Sequence, residues 1–101
     1  MEFPNFFLVA VYVPNAGEGL KRLKYRVDEW DKAFQAYLTQ LPKPCVMTGD
    51  LNVAHTEMDI YDPKGKNKVP GYSPEERGSF GQWLENSGWI DTFRLLNPEK
   101  V

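Results

Sequence analysis

The sequence predicts an α/β fold in which a strand, a long helix and a second strand are followed by one capped helix. Three observations indicate it: an apolar run at residues 6–13, an apolar stripe at helical spacing over residues 20–41, and a short apolar run at residues 45–48. Strand, helix and strand in this order form a βαβ unit, whose two strands are expected to be parallel neighbours.

The first predicted strand, residues 6–13, is apolar without interruption and ends at Pro14. A strand that lacks polar alternation is typical of one covered on both faces in a layered α/β fold. Two strands make a poor sheet by themselves, so the sequence resembles the middle of a larger α/β domain.

The long helix is predicted from apolar residues that recur at spacings of three and four, as on one face of an amphipathic helix. They are Leu20, Leu23, Val27, Trp30, Phe34, Tyr37 and Leu41. This stripe corresponds to about six helical turns. Pro42 and Pro44 end it, and the second strand, residues 45–48, leads into Gly49.

The second helix is predicted from its start and stop signals. Ser73 is the expected N-cap, Pro74 the first helical residue, and Glu76 the partner that completes a capping box. Gly88 is the expected stop. Its buried face would consist of Phe80, Trp83 and Leu84.

Residues 55–72 are rich in charged residues, glycine and proline and show no helical or strand periodicity, which predicts a long loop. Such a loop in a compact domain is usually functional or disordered. Residues 89–90 could begin a short strand or pack under the second helix. Residues 91–96 have the pattern of a last helical turn before Pro98.

Composition limits the class of protein. The chain has 101 residues, one domain's length, with 42% apolar and 26% charged residues, which favours a soluble globular chain over a disordered one. A net charge of -2 does not by itself indicate nucleic-acid binding, although local clusters of basic residues can still bind nucleic acid.

Cys45, the only cysteine, excludes an internal disulfide and favours a reducing compartment. The longest apolar run is too short to span a bilayer, so no membrane partner is expected.

Polar side chains follow both strands. Asp50 and Asn52 come directly after the second strand and, two apart in an extended chain, would point to the same side. Tyr12 and Asn15 hold the equivalent place after the first. Because ligands of open α/β sheets bind at the carboxyl ends of strands, these four side chains are expected to converge on a cation, water or phosphate site. The alternative is structural: Asp and Asn often satisfy only the backbone of a turn, and Tyr12 could close the edge of the core.

Several segments in order along the chain resemble the exonuclease III-type apurinic/apyrimidinic endonucleases. They include Tyr12-Val13-Pro14-Asn15-Ala16-Gly17, Gly49-Asp50-Leu51-Asn52-Val53-Ala54-His55, Pro63-Lys64-Gly65 and Asp91-Thr92-Phe93-Arg94. The resemblance implies a partial four-layer α/β sandwich of the DNase I type, in which residues 1–101 are the central part of the domain and its N- and C-terminal parts are absent.

The resemblance also implies a reaction: Mg²⁺-dependent hydrolysis, with Mn²⁺ as a substitute, of the phosphodiester 5′ to an abasic site in duplex DNA, as in base excision repair. Asp50 would align or deprotonate the attacking water, Asn52 would bond the phosphate or the water, and Tyr12 would donate to the developing charge. Asp50 and Asn52 would be the metal ligands of this part.

The substrate-binding residues implied by the resemblance are Asn15 at the phosphate, and Arg22 and Lys64 on flanking DNA phosphates. A solvated basic surface is the alternative for the last two. The complete parent would be a monomer, located in the nucleus, or in the cytoplasm if bacterial.

The sequence departs from the family at several points. Glu18 stands where animal members carry a basic residue, and the family's upstream Mg²⁺-ligating Glu and downstream Asp-His pair have no counterpart. His55 is not that histidine and is expected to be structural. The alternatives are therefore a non-catalytic fragment or truncated isoform, or a phosphatase or different nuclease of the same superfamily.

Overall fold

The computed structural model describes residues 1–101 and contains two strands and three α-helices, with shorter helical turns between them. Strands β1 and β2 and helices α1, α2 and α3 span, in that order, Phe7–Tyr12, Cys45–Asp50, Asp31–Thr39, Pro74–Ser87 and Thr92–Leu96. The shorter turns are 3₁₀ at Glu18–Leu20 and Glu57–Asp59 and π at Tyr25–Trp30.

The two strands pair in parallel, as predicted, in a register that runs from Phe7 beside Cys45 to Tyr12 beside Asp50. The prediction that the first strand is covered on both faces was wrong for this chain. The sheet has two strands only. No residue of β1 is buried, and Val46, the second residue of β2, is 52% exposed. Apolar strands need neighbouring strands and helices to cover them, and this chain provides too few.

The predicted long helix is divided by a π-turn. Its apolar stripe shifts after this turn: Tyr37, expected inside, is 49% exposed, and Leu38 is buried in its place. A π-turn closes hydrogen bonds from residue i to i+5, so it holds an additional residue and rotates the helix that follows. A stripe counted at 3.6 residues per turn across the π-turn therefore loses its register, and its first member, Leu20, has a φ of 59° and lies outside the helix.

Aromatic packing between α1 and α2 forms the main apolar cluster. Phe34 of α1 lies with its ring centroid 6.4 Å from that of Trp83, which in turn lies 6.1 Å from Phe80 and 5.2 Å from Trp89. Of the two alternatives for residues 89–90, packing under the helix is the one observed for Trp89, and no strand begins there.

The predicted caps of α2 are present with one difference. The Ser73 hydroxyl accepts from the Glu76 N–H at 3.2 Å, and Gly88 ends the helix with φ 70° in the left-handed region. The Glu76 carboxylate, however, accepts from the Ser73 hydroxyl and the Gly71 N–H instead of the Ser73 N–H that a capping box requires. Its second oxygen is turned toward Arg26.

The C-terminal part follows the prediction. Asp91 caps α3, with its carboxylate accepting from the Arg94 N–H at 3.1 Å. Apart from the turn at Glu57–Asp59, residues 55–72 are irregular, and the ion pair of Asp59 with Arg94 at 2.6 Å ties this loop to α3. None of the helices has the length and apolar character needed to cross a membrane.

Candidate active site at the carboxyl ends of the strands

The carboxyl ends of both strands lie side by side. Tyr12 and Asp50 are neighbours in the register, and the Val13 N–H donates to the Asp50 carbonyl at 2.8 Å, which extends the ladder one residue beyond Tyr12. Tyr12 is 65% exposed and Asp50 is exposed as well, so a phenol and a carboxylate reach solvent at the same edge of the sheet.

Two asparagine amides join the segments that follow the strands. Asn15 Nδ2 donates to Asn52 Oδ1 at 3.1 Å, and Asn52 Nδ2 donates to the Val13 carbonyl at 2.6 Å. Asn15 Oδ1 accepts from the Gly17 N–H at 2.7 Å. The predicted convergence of Tyr12, Asn15, Asp50 and Asn52 on one rim is thus what the structure shows.

The conformation behind this convergence differs from the predicted one. The extended chain ends at Asp50, and Asn52 has a left-handed φ of 49°, which asparagine tolerates better than most residues. Asp50 Oδ1 accepts from the Asn52 N–H at 3.0 Å, so a turn, and not alternation along a strand, positions both side chains. Asp50 holds this turn with one oxygen and presents the other to solvent.

The basic residues assigned to DNA occupy different positions. Arg22 Nε donates to the Asn15 carbonyl at 3.2 Å, and its guanidinium lies against Gly17, where an added Cβ would come within 2.8 Å of it. Lys64 is exposed in the loop and forms no ion pair. The structure joins Arg22 to the site by this hydrogen bond and shows no such bond for Lys64.

His55 packs as a structural residue. Its ring meets Phe80 edge-on with centroids 5.1 Å apart, and its carbonyl accepts from Arg77 Nε at 2.9 Å. An added Cβ on Gly81 would approach His55 Nε2 to 2.9 Å, so α2 passes directly beside the imidazole.

Arg26 is the residue at this site that the sequence did not reveal. It is 3% exposed, and its guanidinium donates to the Asn52 carbonyl at 2.5 Å, the Leu51 carbonyl at 2.9 Å and the Glu76 carboxylate at 2.6 Å. One signal was available: Glu76 is an acidic residue on the buried side of α2, and such a residue requires a partner.

Asp31 adds a second carboxylate beside this arginine, 3.6 Å from Arg26 Nε, and accepts from the Ser79 hydroxyl at 2.8 Å. Burial raises the pKa of Asp31 above its ordinary value, and the Ser79 hydrogen bond and the Arg26 charge only partly offset that effect.

Asp59 lies in the long loop, and its pKa shifts in the opposite direction. Burial alone would raise its pKa, but hydrogen bonds from Arg94 and Thr56, together with the Arg94 charge, outweigh burial and lower the pKa.

The donor set at the strand ends is small. No group of three or more His, Cys, Asp or Glu side chains able to hold a metal ion is present. Asp50 offers one unpartnered carboxylate oxygen, and Asn52 Oδ1 has one hydrogen bond from Asn15. Mg²⁺ is commonly bound by one or two carboxylates while keeping several waters and sharing substrate phosphates, and this donor set fits that mode.

Comparison with solved structures identifies the class of fold. The chain is similar to the AP endonuclease LMAP from Leishmania major, with a TM-score of 0.85 and 34% identity, over 93% of this chain and 33% of that one. The architecture is therefore a part of the DNase I-like α/β fold, as the sequence predicted.

Sequence relatives agree with this class. The chain is 55% identical over 102 residues to DNA repair nuclease APEX1 of Danio rerio, 50% identical over 103 residues to a DNA-(apurinic or apyrimidinic site) endonuclease of Dictyostelium discoideum, and 42% identical over 101 residues to an exodeoxyribonuclease of Bacillus subtilis. These matches cover 98–99% of this chain and confirm its resemblance to the exonuclease III-type apurinic/apyrimidinic endonuclease family. The chain spans 28–39% of the length of these relatives. No protein-family model matches it.

Proposed function

We propose that this chain provides the water-aligning and phosphate-binding part of a DNA repair endonuclease that cuts duplex DNA 5′ to an abasic site. The supporting observation is the convergence of Tyr12, Asn15, Asp50 and Asn52 at the carboxyl ends of two parallel strands, where α/β enzymes bind their ligands. Relatives at 50–55% identity are named as a DNA repair nuclease and an endonuclease of apurinic or apyrimidinic sites.

The proposal extends to the setting of the reaction. Residues 1–101 would form the central part of the nuclease domain, and the complete protein would act as a monomer. Its location would be the nucleus, or the cytoplasm in a bacterium.

The side chains divide the work of phosphodiester hydrolysis between them. Asp50 would direct its unpartnered oxygen to a water and accept a proton from it as the water attacks phosphorus. The bond from phosphorus to the 3′ oxygen of the preceding nucleotide would break, and that oxygen would take a proton from solvent and leave as a 3′ hydroxyl. The Tyr12 hydroxyl is exposed at the same edge and donates to a non-bridging oxygen, where negative charge increases in the transition state. Asn52 and Asn15, joined by their amides, fix the phosphate relative to Asp50.

Mg²⁺ fits this site through Asp50, with Asn52 as the neighbouring oxygen donor, and Mn²⁺ would fit in the same way. When bound, the ion supplies charge stabilisation to the phosphate oxygens. Arg22, close to Asn15, and Lys64, in the exposed loop, would contact DNA phosphates on either side of the scissile bond.

The test is Mg²⁺-dependent nicking of a duplex oligonucleotide that carries one abasic site, with intact duplex and inositol phosphates as the other substrates. Asp50→Asn keeps an oxygen acceptor for the Asn52 N–H but cannot accept the proton. We expect it to lower the nicking rate by about 10²- to 10⁴-fold without weakening DNA binding.

The matched control is Glu57→Gln, which removes the same charge from an exposed residue and should nick at the wild-type rate. EDTA should abolish nicking. Undiminished nicking by the Asp50→Asn variant would contradict the role given to Asp50, and cleavage of inositol phosphates instead of DNA would identify a phosphatase.

A second candidate function, a non-catalytic DNA-binding or interaction chain, is favoured by Val46 and Ile90, apolar residues that are 52% and 64% exposed along one open cleft, as on a surface that binds a partner. It predicts that the wild-type chain binds abasic duplex and does not nick it at any Mg²⁺ concentration.

A further inference from the structure

The turn that carries Asn52, residues 50–52 (the strand-end turn), is bonded to β1 and the segment after it through Val13 and Asn15, and to the helical segment through the guanidinium of Arg26. The Arg26 guanidinium donates to two successive carbonyls of this turn, those of Leu51 and Asn52, and to no other backbone group. Arginine presents its N–H groups in a rigid planar fork, so two contacts to adjacent carbonyls fix both the position and the orientation of the turn.

Arg26 is itself held in place by Glu76. Its Oε2 accepts from Arg26 Nη1 at 2.6 Å, and its Oε1 accepts from the Gly71 N–H and the Ser73 hydroxyl, both at 2.8 Å. Both oxygens of a carboxylate that is 1% exposed are thus engaged. The start of α2, the end of the long loop and the strand-end turn are connected through this one ion pair.

The turn needs such support because of its backbone. Asn52 is left-handed, a conformation that persists in a non-glycine residue when its surroundings hold it. In this conformation its side-chain amide accepts from Asn15 and donates to the Val13 carbonyl, and its main-chain N–H donates to Asp50. A small movement of this turn would displace three of the four side chains at the strand ends together.

We propose that Arg26, held by Glu76, is a positioning residue that sets the orientation of Asn52, and through it of Asn15 and Asp50, for the phosphate. That the ligand is a phosphate rests on the proposed function, but the positioning of Asn52 by Arg26 is a property of this chain. The chain also contains a comparable pair that does not touch the turn, Arg94 with Asp59.

The experiment compares Arg26→Lys and Glu76→Gln with Arg94→Lys as the matched control. Lysine keeps the charge and loses the fork, so it cannot reach the two carbonyls and Glu76 at once. Glutamine keeps the size of Glu76 and an acceptor for the Gly71 N–H, and it weakens the hold on Arg26.

The first measurement is hydrogen exchange by NMR of the Asn52 main-chain N–H and of the side-chain amides of Asn15 and Asn52. We expect exchange at these sites to be about tenfold faster or more in Arg26→Lys and Glu76→Gln, with the β1 and β2 amides unchanged, because the turn opens locally. The second measurement is nicking of abasic duplex, where kcat should fall by about 10- to 100-fold at unchanged KM.

The outcomes separate the two proposals. If the wild-type chain does not nick, the proposed function fails for this chain, and the exchange data still decide the positioning role. Unaltered exchange at Asn15 and Asn52 in the folded variants would overturn that role. So would the same exchange increase in Arg94→Lys, or loss of the whole fold in both site variants, which would assign the ion pair to stability alone.

Discussion

Two arginine–carboxylate pairs in this molecule have the same separation and different surroundings. Arg26 and Glu76 approach to 2.6 Å with side chains 4% and 0% exposed, and Arg94 and Asp59 approach to 2.6 Å with side chains 15% and 20% exposed. The first pair joins α2 to the strand-end turn, and the second ties the long loop to α3. Distance alone therefore says little about what an ion pair contributes, because burial sets the penalty for losing a partner.

The largest effect is expected at the buried pair. Arg26→Met leaves the Glu76 carboxylate buried without its cation and should lower the free energy of unfolding by about 3–5 kcal/mol. Urea denaturation at pH 7 measures it. The double variant Arg26→Met with Glu76→Leu should recover a large part of the loss, because it leaves no unpaired charge. A double variant as unstable as the single one would contradict this explanation.

The partly exposed pair should respond less. Arg94→Met removes the cation beside Asp59, which water can still solvate, and should lower the free energy of unfolding by about 1 kcal/mol. The same urea titration decides it. A loss as large as that of Arg26→Met would show that burial is not what distinguishes the two pairs.

The pair at Asp59 also predicts a pH dependence. Its pKa is lowered in the folded chain from the ordinary value of 3.8, so its stabilisation is present above pH 3.8 and is lost as the pH falls through the lowered pKa. In Asp59→Asn this dependence should be absent. The difference in unfolding free energy between wild type and variant should therefore shrink below pH 3.8, and a constant difference would contradict the assignment.

The smallest effect is expected at Asp31, and it has the opposite sign. Its pKa is raised by burial, so the charged form is disfavoured in the folded chain, and the resulting penalty is present at pH 7 and absent below pH 3.8. Asp31→Asn keeps an acceptor for Ser79 and should raise the free energy of unfolding at pH 7 by about 0.5 kcal/mol. Thermal unfolding at pH 7 and pH 3 tests it, and a loss of stability at pH 7 would contradict the prediction.

Local signals predicted most of the elements. The run before Pro14, the Ser73 cap and the Gly88 stop each depend on residues close in sequence, and each was confirmed. The rim of Tyr12, Asn15, Asp50 and Asn52 was predicted because parallel strands bring their carboxyl ends together whatever else surrounds them.

What the sequence could not predict depends on contacts between distant residues. Arg26 and Glu76 lie 50 residues apart, and nothing local to either identifies the other. The left-handed Asn52 is held by Arg26 and Asn15, which are distant in sequence, as well as by its neighbour Asp50. The exposure of Val46 depends on how many strands the sheet has, which the pattern of one strand does not reveal.

The π-turn at Tyr25–Trp30 rotates the part of the helical segment that follows it relative to the part that precedes it. Arg26, near its start, is directed toward the strand ends, and Phe34, beyond its end, is directed toward the aromatic cluster of α2. A residue added to or removed from a helix rotates everything beyond it by about 100°. Deleting one residue from this turn would therefore leave both ends of the segment helical while turning the arginine and the aromatic side chains out of step with each other.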